Sequence, residues 1–172
     1  MTTRRVMLIG LAAALGGCGF RPLLKQGGEG DAEVGQQLAA VEVPEIKSRV
    51  GYLVRDSLLD QLNPTGAKIP RRYLLTISLK SRTAALGIQL NNTITRYNLT
   101  LAARFSLLDS SNRRVLYESI VHRVASYNAS NAIYSQLTAE MAAERNAALE
   151  VSTDIRTQLA IYFARQAEAE AA

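Results

Sequence analysis

The stretch TRYNLTLAARFSL, residues 95–107, alternates between apolar and polar side chains. A period of two is typical of a β-strand with one buried face and one face in water. Its larger apolar side chains have odd numbers, whereas Arg96 and Arg104 have even numbers. We therefore predict a strand that packs on a hydrophobic core with one face and is polar on the other.

Further strands are predicted on both sides of this one. Residues 72–82 alternate in the same way, and DSSN at 109–112 has the composition of a hairpin turn. Residues 114–126 form a third strand that is apolar at both parities, so the sequence does not indicate which side it buries. Residues 38–43 have short-strand character and end at Pro44.

Two amphipathic helices complete the pattern. Ser48 can cap a helix over 49–62, which Asn63 and Pro64 end. The second helix spans 137–162 and has an apolar stripe of Leu137, Met141, Ala148, Val151, Ile155, Leu159 and Tyr162. Glu144 interrupts this stripe for no reason visible in the sequence. We interpret the stripe as packing on the sheet; the alternative is a dedicated partner-binding helix.

The order of these elements predicts an α+β fold. We expect a two-layer sandwich, with two helices packed on one face of a mainly antiparallel sheet of about four strands. The other sheet face would carry Thr, Ser, Asn, Lys and Arg side chains.

The N-terminus has the pattern of an export signal. Arg4 and Arg5 precede a mostly apolar run at 6–15, which is far shorter than the roughly 20 residues of a membrane-spanning helix. Leu15, two glycines and Cys18 then follow, and this arrangement resembles the lipobox of bacterial lipoproteins. We predict lipidation of Cys18 by acyl chains such as palmitate, with an ordinary signal peptide and an incidental cysteine as the alternative. Several acyl chains anchor a protein stably.

The predicted layout follows from that reading. Residues 1–17 form the signal peptide, 18–35 a glycine-rich lipidated tether, 36–167 the α+β domain and 168–172 a frayed tail. Loss of Arg4 and Arg5 lowers the formal net charge from +5 to +3, which is ordinary for a protein surface. Gly19 favours the outer membrane over the inner membrane as the anchor site, by analogy with lipoprotein sorting.

No catalytic constellation is present in the sequence. His122 is the one histidine and Cys18 the one cysteine, so the usual zinc ligand sets cannot be built. The nucleophile-elbow and phosphate-loop motifs are also missing. We expect no enzymatic activity, no metal, no cofactor and no nucleic-acid partner.

Basic side chains are the one possible functional signal on the predicted sheet. Residues of matching parity on paired strands would form a basic face, and guanidinium groups bind phosphates through paired hydrogen bonds. The candidates are Arg72, Lys80, Arg82, Arg96 and Arg104. The alternative is a solvated polar face with no ligand.

Several segments together resemble one known family. CGFRPL at 18–23, LLD at 107–109, VASYN at 124–128 and a long final helix starting near Ser135 are similar to the LptE family of lipopolysaccharide-assembly lipoproteins. The resemblance implies a plug and assembly partner inside the lumen of the outer-membrane β-barrel LptD. It also implies a lipid anchor at the periplasmic face of the outer membrane. From their strand parity, we hypothesise that the five basic candidates contact the phosphorylated headgroup of lipopolysaccharide.

Two other functions remain open at this point. One is an auxiliary lipoprotein of an envelope lipid-transport ATPase system, whose partner would be an inner-membrane transporter or a substrate-binding protein. The other is a periplasmic enzyme with an unrecognised carboxylate or tyrosine site.

Overall fold

The computed structural model describes residues 29–88, 94–128 and 132–170. Its elements are α1 (Glu29–Ala39), β1 (Val41–Glu42), α2 (Arg49–Leu62), β2 (Tyr73–Ile88), β3 (Ile94–Asp109), β4 (Val115–Asn128) and α3 (Ile133–Glu170). Cys18 and the predicted signal peptide lie outside the described residues, so their assignment stays a prediction.

The sheet has the strand order β1-β2-β3-β4. β2, β3 and β4 form an antiparallel meander, and β1 pairs with the start of β2 in parallel. Odd-numbered side chains in the middle of β3, such as Leu101 and Phe105, are completely buried beneath the helices. This confirms the α+β fold with a mainly antiparallel sheet, and it confirms the face of β3 that alternation indicated.

β4 buries its odd-numbered side, which the sequence left undecided. Val121 and Tyr127 are buried, whereas Ile120 and Val124 are about half exposed. Pairing explains the choice, because Val121 lies opposite Ala103 and Tyr127 opposite Tyr97, whose side chains face the helices. Register with β3, and not the apolar pattern of β4, therefore decides which face of β4 enters the core.

The helical layer differs from the prediction at its N-terminal end. Residues 29–35 were expected in a flexible tether, and 38–43 in a strand, but Glu29–Ala39 forms a helix and β1 is two residues long. The glycines of this segment disfavour a helix, and its stability comes from packing instead. Leu38 is buried, and the Tyr73 hydroxyl donates a 2.7 Å hydrogen bond to Gln37 Oε1. Among the described residues, three helices and not two make up the layer.

α2 and α3 pack closely where their side chains are small. The Ser152 hydroxyl lies 2.8 Å from the Ala148 carbonyl oxygen of its own helix and 3.2 Å from the Val54 carbonyl oxygen of α2. Ala148 and Ser152 are fully buried at this crossing. Since a larger side chain would push the two backbones apart, these small residues set the helix separation.

α3 is longer than predicted, and its first turns leave the core. Leu137 and Met141 were expected on the buried stripe, yet they are 53% and 44% exposed. The buried positions of α3 begin only at Ala143 and continue to Phe163. Helical periodicity identifies a face but not how far the neighbouring sheet extends beneath it, which is why this part of the prediction is wrong. The tail predicted to fray from 168 is helical to Glu170.

Candidate functional site

The face of the sheet opposite the helices carries three of the predicted basic residues close together. Odd-numbered residues of β2, such as Leu75, face the helices, so Lys80 and Arg82 project from the other side. Arg104 of β3 projects from that side too, since its neighbours Ala103 and Phe105 are buried. All three side chains are exposed.

Strand register brings these three side chains into one patch. Ser78 pairs with Arg104, Lys80 with Ala102 and Arg82 with Thr100. Arg104 is therefore the diagonal neighbour of Lys80, a relationship that places Cβ atoms roughly 7–8 Å apart. No described carboxylate forms an ion pair with any of the three. We call Lys80, Arg82 and Arg104 the basic patch; its side chains face outward, and Glu118 of β4, opposite Ser106, is the carboxylate diagonal to Arg104 on the same face.

The other two predicted residues lie at the ends of the sheet. Arg72 immediately precedes β2, eight residues from Lys80, which is roughly 26 Å along an extended strand. Arg96 lies four residues beyond Thr100, the partner of Arg82, toward the other end of the sheet, and its Nε donates a 3.4 Å hydrogen bond to Asn128 Oδ1. The structure therefore unites three of the five candidates and separates the remaining two in opposite directions.

β4 adds an apolar strip beside the basic patch, which sequence reasoning missed. Arg104 pairs with Ile120, Ala102 with His122, and Thr100 with Val124, so these β4 side chains share the open face. Ile120 and Val124 are 52% and 51% exposed. The sequence shows apolar residues at both odd and even positions of β4. Only the register with β3 shows that the even-numbered ones lie on the open face. A molecule with an anionic group and an apolar portion could contact patch and strip together.

Two further arginines that flank the sheet are occupied within the fold. Arg71 Nη1 donates to the carbonyl oxygens of Ala39 and Val41, each at 3.1 Å, and so fastens the start of β2 to β1. Arg123 points to the helical side, where its Nη2 lies 2.5 Å from Asp154 Oδ1. That hydrogen bond raises the pKa of Arg123. Both arginines hold elements together and do not add to the basic patch.

The described residues contain no cluster of three or more potential metal ligands among His, Cys, Asp and Glu. His122 is exposed on the open face and pairs with Ala102, with no carboxylate opposite it. Among the described helices, none combines the length and the apolar character required to cross a bilayer.

The fold is similar to those of several bacterial lipoproteins. A candidate lipoprotein from Caulobacter crescentus superposes with a TM-score of 0.65 and 24% identity, covering 77% of this chain and 97% of that chain. Rare lipoprotein B from Shewanella oneidensis gives a TM-score of 0.55 with 11% identity, covering 76% of this chain and 96% of the other. At these identities the likeness concerns the fold alone.

Sequence comparison adds a relative and a family. An uncharacterised protein of Rickettsia prowazekii is 27% identical over 131 residues, which is 76% of this chain and 82% of that protein. The profile of the family described as LptE, lipopolysaccharide-assembly, matches residues 37–159, from the end of α1 to the buried part of α3. The LptE family consists of lipoproteins without enzymatic activity. Because this match covers well over half of the sequence, the chain belongs to the LptE family of lipopolysaccharide-assembly proteins.

Proposed function

We propose that this protein is an outer-membrane lipoprotein that plugs the LptD β-barrel and assists lipopolysaccharide assembly at the cell surface. Membership of the LptE family supports the role in lipopolysaccharide assembly. The observation that carries the proposal on this chain is the basic patch beside the apolar strip, on a sheet face that no described helix covers. Lipopolysaccharide combines phosphates with acyl chains, and that combination matches the two parts of this surface.

The lipid anchor is the second element of the proposal. Acyl chains on Cys18 would hold the domain at the periplasmic face of the outer membrane, next to the barrel. Barrel lumens are lined by polar side chains, which suits the polar side chains that β2 and β3 carry on the open face. Mass spectrometry of the wild-type N-terminus should reveal acyl chains on Cys18, and a Cys18→Ser variant should carry none. An unmodified Cys18 in the wild-type protein would contradict this element.

Lipopolysaccharide contact is assigned to Arg72, Lys80, Arg82, Arg96 and Arg104, with the basic patch as its centre. Guanidinium groups form paired, charge-assisted hydrogen bonds with phosphate oxygens. The three residues of the patch can reach one headgroup together, whereas Arg72 and Arg96 lie at opposite ends of the sheet. We therefore expect these two to contribute less than the patch.

Charge reversal tests this assignment. The triple variant Lys80→Glu, Arg82→Glu, Arg104→Glu should bind purified lipopolysaccharide at least tenfold more weakly than the wild type. The matched control reverses three exposed basic residues elsewhere, Lys47, Lys68 and Arg145, and so carries the same net charge. It should bind within about twofold of the wild type. An equal loss of affinity in both variants would show that net charge alone causes it, and would contradict the assignment.

The barrel partner needs its own measurement. The full-length protein is purified from detergent-solubilised envelopes, and mass spectrometry identifies what remains bound. Stoichiometric recovery of LptD is the expected result. Recovery of an inner-membrane ATPase complex instead of LptD would contradict the proposal that this protein plugs the barrel. It would favour an auxiliary lipoprotein of a lipid-transport system.

A further inference from the structure

The outer edge of β2 is open along most of its length. β1 pairs with β2 only at Tyr73 and Leu74. Pro44 follows closely after β1, and a proline has no amide hydrogen with which to continue the ladder. Beyond Leu74, no described strand occupies this edge. Residues 75–86 span roughly 40 Å in extended conformation, which is long enough for a complete additional strand.

The direction of the free hydrogen-bonding groups can be assigned from β1. The Tyr73 amide donates to the Ala40 carbonyl oxygen at 3.3 Å, so the backbone groups of Tyr73 point to the outer edge. Because this direction alternates along a strand, the odd-numbered residues after Tyr73 also point outward. Ser81, Thr83 and Ala85 therefore offer amides and carbonyls to the open edge, while even-numbered residues bond to β3.

Apart from Lys80 and Arg82, this edge carries none of the usual protection against strand pairing. Residues 81–86 are exposed on both faces of the sheet, Leu86 is 58% exposed, and Arg82 is the one charged residue among the six. Natural edge strands are commonly short, charged, proline-containing or covered. The opposite edge is better guarded, since β4 carries Glu118, His122 and Arg123, and Arg123 bonds to α3.

We infer that the outer edge of β2 accepts an extended segment of another polypeptide, in which acidic side chains alternate with small apolar ones. The positive charges of Lys80 and Arg82 favour an acidic occupant. An added strand would place every second side chain beside Lys80 and Arg82 on the open face, and carboxylates there would be favourable. Its remaining side chains would lie beside Leu79, Ser81 and Thr83, where small apolar groups fit.

A second copy of this chain fits the edge poorly. Antiparallel pairing of two β2 strands centred on Ser81 would place Lys80 of one copy opposite Arg82 of the other. Centring on Thr83 would make the two Arg82 side chains diagonal neighbours on the same face. Like charges at such positions are destabilising. The inference concerns protein contact at the sheet edge and does not depend on the proposed binding of lipopolysaccharide.

The test uses the full chain in detergent and a labelled ten-residue peptide of alternating Glu and Val. Fluorescence anisotropy should show saturable binding, at least tenfold tighter than binding of the corresponding Lys–Val peptide. Hydrogen exchange should show added protection at the amides of Ser81, Thr83 and Ala85, with little change at Lys80 and Arg82. Absence of binding, or protection confined to β4, would overturn the inference.

Two proline variants separate edge pairing from simple charge attraction. Thr83→Pro removes an outward amide and no bond to β3, so it should keep the fold and weaken peptide binding at least tenfold. His122→Pro removes an outward amide of β4 by the same alternation, and it should leave binding within about twofold. Equal binding by the wild type and Thr83→Pro would reject strand pairing.

A charge-exchange variant keeps the inference testable if Thr83→Pro does not fold. Lys80→Glu with Arg82→Glu alters only exposed side chains and should reverse the preference toward the Lys–Val peptide. An unchanged preference would reject the proposed occupant. Light scattering of the chain without peptide measures its molar mass. If the wild type forms dimers and Thr83→Pro does not, a second copy and not an acidic segment occupies the edge, and the inference is wrong.

Discussion

Glu144 of α3 forms an ion pair with Arg49, the first residue of α2. The Glu144 side chain is mostly covered, at 17% exposure, while that of Arg49 is 52% exposed. The carboxylate also lies near the N-terminus of α2, where the helix dipole favours negative charge. This contact explains why an acidic residue interrupts the apolar stripe of α3.

Loss of this pair should have a small but measurable effect. Because Arg49 is half exposed, solvent screening limits the contribution to about 0.5–1 kcal/mol of unfolding free energy. We expect Glu144→Ala to cost about that amount in chemical denaturation. In a double-mutant cycle with Arg49→Ala, the two losses should sum to more than the loss in the double variant. Strict additivity would show that the pair contributes nothing to stability.

Gly51 is predicted to be intolerant of any side chain. Its amide donates to the capping Ser48 Oγ at 2.9 Å, and an added Cβ would lie 2.6 Å from both Ile46 Cγ2 and the Ile46 carbonyl oxygen. We expect Gly51→Ala to lower the free energy of unfolding by about 1–3 kcal/mol, as measured by urea denaturation.

Gly35 is the matched control for that substitution. It also lies in a helix, but an added Cβ would meet no atom within 4 Å. Gly35→Ala should therefore be neutral or stabilise the protein by up to about 1 kcal/mol through better helix propensity. A comparable loss in both variants would contradict the crowding at the start of α2.

Ser152 should resist enlargement in the same way. Ser152→Val adds volume at the crossing of α2 and α3 and removes a buried hydroxyl that bonds within α3. The expected loss is about 1–3 kcal/mol, measured by thermal and urea unfolding. The adjacent Thr153 is exposed, and Thr153→Val should change stability by no more than about 0.5 kcal/mol. An equal effect at both positions would contradict close packing at the crossing.

Alkaline pH should destabilise the protein through two tyrosines. Burial raises the pKa of both Tyr73 and Tyr127 above the ordinary value of 10.0. The unfolded chain therefore releases these protons first, so stability is retained below about pH 10 and falls as the pH rises beyond it. Thermal melts at about pH 8 and pH 11 measure this loss. It should shrink in Tyr127→Phe and persist in the exposed control Tyr134→Phe; the same loss in all three proteins would assign it to other groups.

The strands and the capped helix α2 were predictable because their signals are local. Alternation in β2 and β3 reports a face in water and a face in the core, and Ser48 caps α2 as its position before Arg49 indicates. The family resemblance was also readable from short segments, and the family match over 37–159 confirms it. The lipid on Cys18 and the lipopolysaccharide contacts stay predictions.

Other features depended on neighbours that are distant in the chain. α1 is rich in glycine and holds its helix through contacts such as Tyr73 with Gln37. The basic patch is smaller than predicted. Odd or even numbering predicts which face a side chain lies on, but only the strand register determines how far apart two side chains on that face are. The apolar strip of Ile120 and Val124 was not foreseen, since β4 offers apolar residues to either side.

The sequence by itself determined the class of fold, the polar character of the open face along β2 and β3, and the family, because periodicity, capping and short motifs act over a few residues. The tertiary structure alone decided which side of β4 is buried, where α3 leaves the core and which cations share a patch. Those outcomes depend on strand register and on where one layer stops covering another. Both arise from contacts between residues far apart in the chain, which no local pattern encodes.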